Sequence, residues 1–203
     1  MINKHHRLRR TARGLALALV VSILPACSGA LFKVKPAVDL PALPDTAKSA
    51  NAGGVTVRVA PLLTDEESQD LFEANLPLSG VLPVRVELNY EPPAGGAPLD
   101  FKRTRFRLRE GQGKDWKVLP PKQAIARILK ANGVYLYNPN SRKEFEKEFN
   151  AYAIDLKTPL TASEHRRQGF LFFQTSDKEP VRNPKGLTLS LAGLSQPLEI
   201  QLN

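Results

Sequence analysis

The sequence predicts a mainly β domain, a β-sandwich of short antiparallel strands with a helical insertion of about two helices. Two observations carry this prediction. Runs with a period of two recur with turn residues between them, as at Val55, Val57 and Val59 and again at Val84, Val86, Leu88 and Tyr90. The elements also run in the order strands, helices, strands, the helices falling near 120–153, and short strands at this spacing suit a sandwich.

Each element has its own local reason. Val55–Val59 alternates with Thr56 and Arg58, the pattern of a half-buried strand. Thr64-Asp-Glu-Glu67 has capping-box spacing and opens a short helix ending near Asn75, with Leu71 and Phe72 turned inward. Pro83 suits the start of a second strand, where no ladder donor is lost, and Val84, Val86 and Leu88 then face one way while Arg85, Glu87 and Asn89 face the other. The loop EPPAGGAP turns the chain into a third strand, Phe101–Arg109, and Trp116–Leu119 reads as a short fourth. Pro120-Pro121 opens a helix with Ala124, Ile125, Ile128 and Leu129 on one face and Asn132-Gly133 as its stop. A second helix runs from about Ser141 to Tyr152, with Phe145, Phe149 and Tyr152 spaced four and three apart. Gly169–Thr175, Leu187–Leu191 and Leu198–Leu202 complete the strands. Val84, Val86 and Leu88 are expected to share one core with Phe170, Phe172 and Leu189.

The N-terminus predicts where the chain is sent. Residues 1–14 carry five basic residues and no acid, Leu15–Leu24 is an apolar run, and Leu24-Pro25-Ala26-Cys27 follows. A charged region, a short apolar region and a small-residue cleavage site are the parts of a secretory signal, and the run is too short for the ~20 residues of a spanning helix. Leu24, Ala26 and Cys27 resemble the lipobox of bacterial lipoproteins. That resemblance implies cleavage after residue 26, a lipid on Cys27 and membrane attachment through it. Ser28 in place of an aspartate implies, for a Gram-negative cell, onward transport to the outer membrane.

Composition narrows the rest. The chain carries +9, but residues 1–26 hold five basic residues and no acid, so the remainder carries +4 and needs no nucleic acid partner. Residues 27–54 are rich in Pro, Ala, Gly and Ser and read as the lipidated cysteine and a flexible tether, leaving 55–203 as one domain with enough chain to bury a core. With Cys27 acylated no thiol is left for disulfides or metal, so stability must come from packing. No metal site and no cofactor is expected.

Two further segments carry a resemblance. Leu71–Glu91 (LFEANLPLSGVLPVRVELNYE) resembles a pattern in exported bacterial proteins, where a short helix leads into a Gly-Val-Leu-Pro-Val strand. Thr161–Gln174 (TASEHRRQGFLFFQ) is similar to a segment of immunoglobulin-like lipoprotein domains, where a polar turn precedes Gly-Phe-x-Phe-Phe. Together they cover about a quarter of the domain. They imply an immunoglobulin-like sandwich and an envelope role, and they assign no catalytic residue.

Candidate chemistry is sparse. On a strand, Arg103, Arg105 and Arg107 share one face with Phe101, and Thr104, Phe106 and Leu108 share the other. This stripe reads either as an anion-binding surface for an anionic glycolipid or envelope protein, or as a solvated face paired with carboxylates such as Glu87. His165, between Glu164 and Arg166, reads as a surface-turn residue without a nucleophile to serve. Glu144, Glu146 and Glu148 read as the wet side of a helix. The aromatics Phe145, Phe149 and Tyr152, with Val134–Tyr137, line either a core or a small-ligand cleft. The expectation is a non-catalytic, lipid-anchored binding or assembly module, with a carboxylate-dependent hydrolase acting on a carbohydrate as the alternative.

Overall fold

Among the described residues eight strands form one sheet, and a single short strand is the reason it is one and not two. The computed structural model describes residues 40–92, 95–111, 114–133, 139–175 and 177–203. The strands are β1 Lys48–Ala52, β2 Val55–Pro61, β3 Val81–Tyr90, β4 Arg105–Glu110, β5 Lys114–Leu119, β6 Arg166–Gln174, β7 Leu187–Ala192 and β8 Leu198–Gln201. They lie in the order β1-β2-β3-β6-β5-β4-β7-β8, and every pairing is antiparallel. Residues 114–116 of β5 pair with β4, and residues 117–119 pair with β6. β5 therefore stitches together what an immunoglobulin-like sandwich keeps as separate sheets. β1 and β8 come within 8 Å of each other between Cα atoms, so the sheet curls nearly into a barrel.

Among the described residues three α-helices accompany the sheet: α1 Asp65–Phe72, α2 Pro121–Ala131 and α3 Pro139–Tyr152. The α1 capping box forms as its spacing predicts. The Thr64 hydroxyl accepts from the Glu67 amide at 3.2 Å, and the Glu67 carboxylate accepts from the Thr64 amide at 3.1 Å. The helix stops at Phe72, three residues short of the expected end, because Glu73 turns left-handed at φ 47°. α2 buries Ala124, Ile125, Ile128 and Leu129, the face its periodicity marks.

The ordered domain starts earlier than residue 55. Lys48–Ala52, expected in the tether, form β1, and Gly53-Gly54 at φ 59° and 77° make the tight turn into β2. Upstream, Leu43 is 4% exposed and Leu40 packs on the helix-side core. The rest of the expected tether, residues 27–39, lies outside the described residues, as does the expected signal segment 1–26.

β3 and β6 run through the centre, paired over nine residues, and both of their faces are covered. One face looks into the curled sheet, where Val84, Val86, Leu88 and Leu189 meet Val55, Val57 and Phe173. The other face looks at the helices, where Phe170 and Phe172 meet Phe72, Phe145, Phe149 and Tyr152. Phe170 and Phe172 thus belong to a second core, not to that of Val84. The side-chain period of two settles this, because in β6 it is Leu171 and Phe173 that face inward.

Pro83 sits inside β3 instead of opening it. Its carbonyl accepts from the Leu62 amide at 3.0 Å, just beyond the last β2 pair, Pro61 with Val84. A residue's N and O point to the same side of a strand, so the missing donor falls where the β2 ladder has ended.

Candidate functional site

β4 places its odd residues outward. Arg105, Arg107 and Arg109 are exposed, and Phe106 and Leu108 are buried. Arg103 is exposed as well, but on the turn before the strand, where the Thr104 amide donates to the Phe101 carbonyl at 2.9 Å. Phe101 points into the sheet core at 4% exposure and does not share the arginine face. Gly193, at φ 92°, holds that turn in place, since a β-carbon there would collide with the Arg103 carbonyl oxygen. Beside it, the Lys102 amide donates to Asp100 at 2.8 Å and holds that carboxyl below its ordinary range.

The partners of these arginines are local. Arg105 donates to the carbonyls of Lys102 and Thr104, and Arg109 pairs with Asp115 at 3.3 Å. Among the described residues Arg107 has no ion pair. On β7 and β8 the same outer face continues as Thr188, Ser190, Glu199 and Gln201, which with Arg109 and Gly111 line a polar hollow of about 370 Å³. The β4 face is thus a row of guanidiniums beside hydroxyl, amide and one acid.

Glu87 is not the acid that serves them. It is 6% exposed on β3 and is bonded by Arg166 at 2.8 Å and approached by Arg58 at 3.6 Å. Arg85, two residues earlier on the same outward face, is 5% exposed. Its guanidinium donates to the carbonyls of Pro41 and Ala42 and to Gln168 Oε1 at 3.3 Å. Burial pushes the Arg85 guanidinium below its ordinary pKa, against the opposing pull of Glu87. Sequence reasoning put both residues on the strand face opposite Val84 and Val86, and took Glu87 as a candidate partner of the arginine stripe. What it missed is that residues 40–47 fold back over that face as a strap, and the Gly-Gly turn signal at 53–54 was the available hint.

The remaining candidates are structural in their surroundings. His165 is exposed, and its backbone carbonyl accepts from the Tyr90 amide at 2.7 Å. Glu144 is exposed on α3, and Glu146 pairs with Arg142 at 2.8 Å. Phe72 touches four other rings, and Phe149 stacks on Phe172 with centroids 4.7 Å apart. Phe145, Phe149 and Tyr152 are buried in the helix-side core, and Phe170 and Phe172 beneath them also border a hollow of about 210 Å³ with Val118 and Pro121; Val134–Tyr137, expected beside them, lie outside the described residues. Glu67 and Asp70 do share a cleft, but they stand on one helix instead of opposing each other, and Glu67 is occupied by the α1 cap. Among the described residues no group of three or more His, Cys, Asp or Glu is placed to hold a metal, and no helix is long and apolar enough to cross a membrane.

No protein-family model, no curated protein and no solved structure matches this chain.

Proposed function

We propose that this chain is a lipid-anchored envelope lipoprotein whose folded part is a non-catalytic binding or assembly module. The observation that carries the reading is Leu24-Pro25-Ala26-Cys27 at the end of a basic and then apolar leader, with Cys27 the only cysteine in the chain. In a Gram-negative cell the anchor sits in the outer membrane. The immunoglobulin-like reading of the fold rests on segments 71–91 and 161–174, whose strand portions pair as β3 and β6. It stands against a sheet that runs on through β5 without a break.

The strap shortens the tether that this reading assigns. Thirteen residues lead from Cys27 to Leu40, and at full extension they reach roughly 45 Å. The module therefore works close to the membrane that holds it, and its partner is an anionic glycolipid or an envelope protein within that reach. The surface offered to such a partner is the arginine row Arg103, Arg105 and Arg107, whose planar forks suit phosphate.

The anchor is tested by metabolic labelling with a palmitate analogue. Wild type incorporates label and fractionates with membranes, and Cys27→Ser incorporates none, since no other thiol accepts a diacylglyceryl group. Undiminished label on the serine variant would remove the lipoprotein reading.

A further inference from the structure

Residues 41–46 run across β2 and β3, and they wall a cleft of about 630 Å³. Ala60 and Arg85, cross-strand partners on β2 and β3, are among its lining residues. Leu62, Leu63, Leu71 on α1 and Leu202 after β8 are among its apolar lining. Small-molecule sites of roughly 300–1,000 Å³ combine apolar walls of this kind with a few placed polar groups.

Arg85 is the placed group here. It is a cation 5% exposed; among the described residues it is held by carbonyl oxygens and an amide, and its Nε has no hydrogen-bond partner. Among the described residues no carboxylate forms an ion pair with it. Glu87, the acid on its own strand, is bonded to Arg58 and Arg166. Glu87 attracts Arg85 from two residues along the strand but forms no ion pair with it; a buried cation in that state is costly, and an anion in contact with it repairs the cost. The acids on the α1 wall are already engaged: Glu67 accepts from the Leu63 and Thr64 amides, and Asp70 has an interaction of its own. Lys48 adds a second cation to the lining.

We propose that this cleft binds a single-chain anionic amphiphile of the fatty-acid class. The apolar chain lies against Leu62, Leu63, Leu71 and Leu202, and the carboxylate meets Arg85. The carboxylate brings a full negative charge where the strap carbonyls bring only dipoles. This binding goes beyond the anchor and requires no lipid on Cys27.

The test uses the full chain carrying Cys27→Ser, which bears no acyl group of its own. Dodecanoate and dodecyltrimethylammonium, of equal chain length and opposite charge, are titrated by calorimetry below their micellar concentrations. Dodecanoate binds one to one, and the cationic amphiphile binds weaker by roughly tenfold or more, the scale of a lost charge-assisted hydrogen bond. Ala60→Phe, which puts a ring into the cleft and keeps the cation, weakens dodecanoate by a similar factor while the protein keeps its melting temperature. Arg85→Gln removes the preference between the two amphiphiles. Equal affinity for both amphiphiles, no saturable binding of dodecanoate, or wild-type affinity in folded Ala60→Phe would each overturn the proposal. Should either variant fail to fold, the two amphiphiles on the unsubstituted cleft still decide.

Discussion

A β-carbon at Gly169 would stand 2.6 Å from both the nitrogen and the Cα of Ile154. The need there is for space, because the Gly169 backbone is ordinary strand. The missing side chain lets residues 153–154 lie against β6, where Ala153 makes a parallel bridge to Phe170 and the Ile154 amide donates to the Phe170 carbonyl at 3.1 Å. Gly169→Ala must push that segment away and is expected to cost ~1–3 kcal/mol, the usual range for overpacking. Urea denaturation measures it, and an unchanged midpoint would show that the Ile154 backbone retreats without loss. Nothing in the local sequence marks this glycine, since its partner lies fifteen residues away and is brought to it only by the return of the helical insertion. The same holds for Arg85. Its alternation with Val84 and Val86 assigns its face correctly, but not the strap that covers that face.

Helix α1 is short and polar, and Phe72 is its one buried apolar side chain. Phe72 is fully buried and meets Phe149, Tyr152, Phe170 and Phe172 with centroids 5.0–6.1 Å away. Phe72→Ala should cost ~3–5 kcal/mol, a large share of the ~5–15 kcal/mol that holds an ordinary domain together. A loss below about 1 kcal/mol on calorimetric melting would mean that the ring cluster closes over the gap. Strand β4 supports a different kind of prediction. Its exposed arginines stand two residues apart, roughly 7 Å by strand rise. If they hold an anionic glycolipid, lipopolysaccharide binding by the Cys27→Ser chain falls steeply as salt shrinks the Debye length from ~10 Å at 0.1 M to ~3 Å at 1 M. The triple change Arg103→Gln, Arg105→Gln, Arg107→Gln abolishes that binding in a protein that still folds. Equal binding by both proteins would leave the row as a solvated sheet face.

The two cores share β3 and β6, which lie between them. Amides in the middle of these strands are covered on both sides and laddered on both edges, so they open only when the domain opens as a unit. Native-state hydrogen exchange should find its slowest amides at 84–88 and 170–173, and faster ones in β1 and β8 at the two ends of the sheet order. Protection in β1 matching that of β3 would indicate that β1 and β8 bond to each other and close the barrel.

Local periodicity and capping chemistry were enough to place the three helices, the inward face of α2, the capping box at Thr64 and most of the strands, because each depends on residues within a turn or two of one another. Three features were decided only in three dimensions. One continuous sheet replaced two because β5 divides its six residues between β4 and β6, a choice between partners far apart in the chain. Phe170 and Phe172 went to the helix-side core because register, and not hydrophobicity, selects the face. Arg85 became a buried cation beside a cleft because residues 40–47 fold back across β3, a contact more than forty residues away in sequence that no local pattern encodes.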